Sequence, residues 1–243
     1  MPLLISKTTV NHGLRSSKLS SRPNSLSEVV FQDQIVQQFS NMRDSRSLPH
    51  MLLYGPPGTG KTSIIIALAK EIFGLEHYRE RVLELNASDD RGIAKVREKV
   101  KKYAESKLRR LPGGEANLKI IILDEADQMT PDAQQALRRV IEDYSRNTRF
   151  CLICNYITKI IEPLSSRCIK FRFKEIPKDY QIKQLQDIAD REEMDIESNA
   201  IQRVITVSGG DLRKSVNLLQ LSRSAFLGER ITEKKLVSIS DVS

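Results

Sequence analysis

Gly55-Pro56-Pro57-Gly58-Thr59-Gly60-Lys61-Thr62 restricts this chain to a narrow set of folds, because Gly, four residues, Gly, Lys and then Ser or Thr is a phosphate loop. Such a loop works only between a buried strand and a helix. Met51-Leu52-Leu53-Tyr54 before it reads as the strand, and Ile64 to Ala69 after it reads as the start of a helix expected to end near Gly74. Backbone N–H groups of Gly55 to Thr62 can then wrap phosphates at a helix N-terminus, where the dipole favours negative charge. The expected ligand is a nucleotide with Mg²⁺. Lys61 is expected to reach the β- and γ-phosphates and the Thr62 hydroxyl to sit on the metal.

A second motif supplies what hydrolysis needs. Ile120-Ile121-Ile122-Leu123 suits a strand buried on both faces of a parallel sheet, and Asp124-Glu125-Ala126-Asp127 follows at its C-terminal end, where such sheets present ligands. Asp124 is expected to hold Mg²⁺, and Glu125 to orient or deprotonate the attacking water. Asp127 has a plainer expectation, as an acid capping a helix of Thr130 to Glu142.

The 243 residues leave room for a large domain and a small one. Strand and helix alternate through Arg81–Leu85, a basic helix, Ile120–Leu123, the Thr130 helix, Arg149–Ile153 and Cys168–Phe173, which predicts a five-stranded parallel α/β sheet with helices on both faces. From Leu26 to Met42 the pattern is helical. After Pro177 only helical patterns remain, Tyr180–Glu193, Ser198–Val207 and Asp211–Phe226, which predicts a second, small all-helical domain. The expected boundaries are a basic, Ser-rich tail over 1–25, the nucleotide-binding domain over 26–175 and the helical domain over 176–243. The tail carries Lys7, Arg15, Lys18 and Arg22 without an acid. It superficially meets the transit-peptide description, but Pro2 and Gly13 would interrupt an amphipathic helix there.

Charge narrows the partner class. Net charge is +8, and between Arg91 and Arg110 nine Lys and Arg face only Glu98 and Glu105. Such an excess on one helix suggests a polyanion, most often nucleic-acid phosphate, whereas an ordinary solvated face interleaves its acids. No apolar run approaches the ~18 residues of a membrane span. Cys151, Cys154 and Cys168 have no secretory context and are expected as free thiols in a reducing compartment. Cys151 and Cys154 lie three apart on an expected strand, hence on opposite faces, which argues against a redox or zinc pair.

With the two nucleotide motifs placed, the chain resembles the AAA+ ATPases, and closely the small subunits of replication factor C, the clamp loader of eukaryotes and archaea. The resemblance rests on Leu85-Asn86-Ala87-Ser88-Asp89-Asp90-Arg91-Gly92-Ile93, Ala133 to Arg139, Cys154-Asn155-Tyr156, Ser166-Arg167-Cys168 and Gly209-Gly210-Asp211-Leu212-Arg213-Lys214, and it runs from about Leu26 to the C-terminus. It implies Asn155 as the first sensor, at a strand end facing the γ-phosphate or the attacking water, and Arg167 as an arginine finger reaching a neighbouring subunit's ATP. It implies Arg213 as the second sensor; taken without the resemblance, Arg213 reads as a surface arginine. It also implies contacts from Arg91, Lys95 and Lys159 to duplex phosphates inside a spiral of subunits. Arg91 and Lys95, four apart, share a helix face.

The implied partners are other loader subunits in a hetero-pentamer, a sliding clamp and primer-template DNA, in the nucleus or, in an archaeon, the cytosol. Members of that family carry a Trp- and Tyr-containing basic segment ending in Arg-Pro, of which only Arg22-Pro23 is present. They also continue into a helical collar, and Ser243 falls about where it should begin. Two other readings stand beside this one. The DEAD-box helicases share Asp124 to Asp127 literally, but need two tandem ATPase domains and a Ser-Ala-Thr motif that this sequence lacks. An ATP-dependent interaction module that lends Arg167 to a partner's site is the non-enzymatic alternative.

Overall fold

Short apolar runs separated by helices have one economical solution, a sheet covered on both sides. The computed structural model describes residues 25–29, 31–45, 47–87, 93–106 and 118–240, and in α3 the side chains from 98 onward. Its strands are β1 (Met51–Tyr54), β2 (Val82–Asn86), β3 (Lys119–Asp124), β4 (Thr148–Cys154) and β5 (Ile169–Arg172). They form a wholly parallel sheet in the order β2-β3-β4-β1-β5. The expected five-stranded parallel α/β fold is therefore present. Strand ends differ from the expected ones by at most one residue, and those of β1 not at all.

The helices are α1 (Asp33–Asp44), α2 (Lys61–Arg81), α3 (Ile93–Glu105), α4 (Pro131–Tyr144), α5 (Glu162–Ser165), α6 (Lys178–Arg191), α7 (Ser198–Val207), α8 (Leu212–Ala225) and α9 (Glu233–Ser240). Alternation along each strand sends its side chains to two separate cores. Met51, Leu53, Ile120, Ile122, Cys151 and Ile153 pack with Phe39 of α1 and Ile64, Ile65 and Leu68 of α2. Leu52, Ile121, Leu123, Phe150, Leu152 and Cys154 pack on the other side with Val100 of α3, Leu137 and Ile141 of α4, and Leu164 of α5. Cys151 and Cys154 thus lie on opposite faces. Burial raises their thiol pKa values, Cys154 to about 12, so both stay protonated and unreactive.

Helices α6 to α9 pack round a core of their own, with Leu185, Ala200, Ile201, Val204, Leu219, Ile231 and Leu236. Asp211 caps α8, accepting from the N–H groups of Arg213 and Lys214. Helix α9 had no expectation from sequence, because Glu233 to Ser240 offers only two turns of pattern.

Three elements depart from the sequence reading. The Leu26–Met42 pattern is interrupted: a single turn at Leu26–Glu28 precedes α1, and Phe31 between them has a left-handed φ of 75°. Leu26 is held by Glu71 of α2, whose Oε1 accepts its N–H at 2.7 Å while Oε2 binds Arg43 at 2.5 Å. Helix α2 does not stop at Gly74 but kinks there (φ 71°, ψ 161°) and runs on to Arg81. The Thr130 hydroxyl, not Asp127, caps α4 by accepting from Ala133 N.

His50, just before β1, ties that strand to β4 through Nδ1, which accepts the Phe150 N–H at 3.2 Å. Burial, reinforced by Arg149, lowers its pKa from about 6.5 to about 4. The unfolded chain therefore takes up this proton first as pH falls, and the linked stability, complete above about 6.5, is lost toward about 4. Comparing urea unfolding of the natural chain and His50→Gln at several pH values tests this. The variant should lose less stability than the natural chain between pH about 6.5 and 4; equal losses would acquit the histidine.

Candidate nucleotide-binding site

A parallel sheet delivers the residues that follow its strands to one edge. There, the loop after β1 turns into α2 through Gly58 (φ 72°) and Gly60 (φ 90°), conformations that cost glycine least. The Lys61 ammonium is buried and donates to Gly55 O and Pro56 O, each at 2.7 Å, and to Asn155 Oδ1 at 3.0 Å. Burial lowers its pKa, an effect that Asp124 opposes and Arg213 adds to.

The two motifs meet through Thr62, whose hydroxyl donates to Asp124 Oδ2 at 2.7 Å. Asp124 Oδ1 accepts the Glu125 N–H at 2.9 Å. Hydroxyl and carboxylate oxygens in bonding reach of each other fit Mg²⁺, which takes hard oxygen ligands, usually one or two carboxylates and the substrate's phosphates. Among the described residues no three or more His, Cys, Asp and Glu gather as a metal cluster. Glu125 itself is left-handed (φ 55°, ψ 37°), a conformation that costs a non-glycine residue about 1 kcal/mol or more and often marks functional sites.

The structure brings Lys61, Thr62, Asp124, Glu125 and Asn155 together. Arg213 is exposed in the first turn of α8, and its charge adds to the lowering of the Lys61 pKa. The cap of that helix touches the loop, since a Cβ on Gly58 would lie 2.2 Å from Asp211 Oδ1. Arg167 bonds elsewhere, to Glu142 of α4 and to Pro163 O of α5 at 2.5 Å. Lys159, in the single turn Ile157–Lys159, is exposed and its ammonium lies 5.2 Å from the Tyr156 ring centre. Lys95 lies on α3 with its side chain outside the described residues, as Arg91 is altogether.

Comparison with known proteins agrees with this geometry. Residues 51–176 match the "ATPase family associated with various cellular activities (AAA)". The chain belongs to this family. It is 50% identical to human replication factor C subunit 4, over 91% of this chain and 62% of that protein. Identity is 48% to Saccharomyces cerevisiae replication factor C subunit 2, over 91% and 65%. The first relatives are thus matched over about three fifths of their length, 59–63%. In fold the chain is similar to the Thermotoga maritima RuvB Holliday junction branch migration motor, with a TM-score of 0.66, 20% identity, and coverage of 91% of this chain and 72% of that one.

In this AAA chain the sequence reading misassigned Asp127 and passed over Gln134. Asp127 is buried, and its Oδ2 accepts from the backbone N–H groups of Asn155 and Tyr156, each at 3.2 Å, which fixes the end of β4 against the carboxylate motif. Gln134 is buried on the apolar face of α4; Nε2 donates to Met129 O (3.2 Å) and Lys159 O (2.9 Å), and Oε1 accepts from Ile161 N (2.8 Å). The signal for Gln134 was present, an amide where Ala133, Leu137 and Ile141 predict a hydrophobic position.

Gly55 opens the loop at φ 143°, and a Cβ there would come 2.3 Å from the Phe173 carbonyl oxygen. That backbone cannot retreat freely, because Phe173 N donates to Tyr54 O at 2.8 Å. Gly55→Ala should therefore cost about 2–4 kcal/mol of unfolding free energy in denaturant titrations, from overpacking plus backbone strain. ATP binding should weaken in parallel.

Proposed function

We propose that this chain is an ATPase subunit of a DNA sliding-clamp loader, coupling ATP binding and hydrolysis to loading of the clamp onto primer-template DNA in replication and repair. The observation that carries the reading is identity of 48–50% to replication factor C subunits across about nine-tenths of the chain. The geometry supports it at each step. Backbone N–H groups of the loop and the N-terminus of α2 receive the ATP phosphates, and Lys61 exchanges its carbonyl and Asn155 acceptors for β- and γ-phosphate oxygens. Thr62 and Asp124 would hold Mg²⁺, which supplies neutralisation of the phosphate charge.

Glu125 orients the attacking water and takes its proton, and Asn155 faces the γ-phosphate from the end of β4. Arg213 makes the position of α8, and with it α6 to α9, depend on nucleotide. Arg167, bonded away from its own loop, serves the ATP of a neighbouring subunit. The partners are other loader subunits in a hetero-pentamer, the clamp and DNA, and the location in a eukaryote is the nucleus.

Steady-state ATP hydrolysis tests this, with the chain alone and mixed with sibling loader subunits, with and without primer-template DNA and clamp. DNA and clamp should raise the rate only in the mixture. Glu125→Gln should remove this chain's share, and Arg167→Ala should lower the neighbour's share by roughly 10³-fold. A chain that never joins the mixture, or a rate indifferent to both substitutions, defeats the proposal.

Arg91, Lys95 and Lys159 contact duplex phosphates in this reading, so binding should be independent of sequence and sensitive to salt. For the assembled loader, Lys159→Ala should reduce the slope of log K against log salt by about 0.9 on several unrelated duplexes. An unchanged slope removes Lys159 from the DNA surface.

A further inference from the structure

Arg167 is not a free side chain on a loop. One terminal nitrogen donates to Pro163 O at 2.5 Å and the other is paired with Glu142 Oε1. The same Glu142 oxygen accepts from Arg138 Nε at 3.2 Å, one turn earlier on α4. All three side chains are about one-third or more exposed. Glu142 lies on the side of α4 away from the buried Leu137, Val140 and Ile141, so it contributes nothing to the core beneath.

We infer that Glu142 is a positioning residue for Arg167: it holds the guanidinium in the orientation in which it meets the phosphates of a neighbouring subunit's nucleotide. This rests on the trans role given to Arg167 above. A long arginine left to itself samples many rotamers, and ordering it during the reaction subtracts from the stabilisation that it gives. Here two anchors fix the plane of the fork. Arg138 in turn orients the carboxylate that forms one of them and holds its pKa below the ordinary range, an effect that Arg167 reinforces. A guanidinium has five N–H donors, and one bond at each terminal nitrogen leaves others for phosphate oxygen.

The test uses the assembled loader, with this chain carrying Glu125→Gln so that its own site is silent and the remaining hydrolysis comes from its neighbours. On that background Glu142→Ala should lower kcat at the one neighbouring site that Arg167 serves by about tenfold or more, with KM for ATP there little changed, and Glu142→Gln, which keeps an acceptor, should fall between. Combined with Arg167→Ala, Glu142→Ala should cost nothing further, because a positioning residue acts only through the group that it positions. A Glu142 that merely supports the fold would multiply its loss onto Arg167→Ala. That result, an unchanged kcat, or a faster rate on removing Glu142 would overturn the inference. If Arg167→Ala alone leaves the rate untouched, the trans role of Arg167 has failed instead. Size-exclusion elution of each assembled variant distinguishes a weaker site from a lost subunit.

Discussion

Every feature of the candidate site depends on one constraint, that all strands of the sheet run in the same direction. A parallel strand must be followed by a crossover, and the crossovers all leave from the same edge. The order β2-β3-β4-β1-β5 places the loop strand beside β4, and β4 beside β3. The first residue beyond β4 is therefore next to the loop, which is how Lys61 reaches Asn155 from a position 94 residues away in sequence. Asp124, one strand further, reaches Thr62 for the same reason. Had either neighbour been antiparallel, its C-terminal residues would have emerged at the opposite edge.

Much of this was legible before any coordinates. The phosphate loop and the carboxylate motif are local patterns whose flanking strands are short and apolar throughout, so strand, turn and helix all point the same way. Period-two alternation was enough to separate Cys151 from Cys154. What stayed hidden was either non-local or decided by competition. Phe31 breaks a helical pattern that its neighbours support, and nothing in the adjacent residues announces a left-handed phenylalanine. Gly74 looked like a stop because glycine usually ends a helix, yet the chain bends there and the helix resumes. The cap of α4, expected from Asp127, falls to Thr130 instead, and that competition is settled by what β4 brings alongside, which local spacing does not show.

That competition has a physical resolution. Thr130 has an N-cap's extended backbone and precedes Pro131, which fits the first helical position because its missing N–H would find no partner there anyway. Asp127 is consequently free to face β4, where it receives two backbone N–H groups that the end of a strand leaves without partners. Gln134 does the same for the chain after Tyr156, satisfying Lys159 O and Ile161 N from within an apolar helix face. Buried polar side chains of this kind are costly to strip of their partners, so moving the segment that they hold would strand both the side chains and the backbone groups bonded to them. Asn155 and the turn carrying Lys159 therefore share one rigid support, and a displacement at one would be felt at the other.

Arg167 stands outside this support, and its environment differs in kind. The loop, Asp124 and Asn155 are fixed by backbone geometry and by buried and part-buried hydrogen bonds, whereas Arg167 is fixed at the surface, by the Pro163 carbonyl and by exposed charges, Glu142 and through it Arg138. Exposed ion pairs contribute little to stability, because water screens them and two long side chains must be ordered. Their worth in the fold is accordingly a poor explanation of a three-residue arrangement centred on one carboxylate oxygen. An exposed arginine is, however, what a neighbouring molecule can reach, and a fork ordered in advance loses less entropy on meeting phosphate than a free one. The division follows the chemistry of the proposal: Lys61, Thr62, Asp124 and Asn155, assigned to this chain's own nucleotide, are buried or half-buried at the edge of the sheet, while Arg167, assigned to another chain's nucleotide, is held at the surface by Glu142.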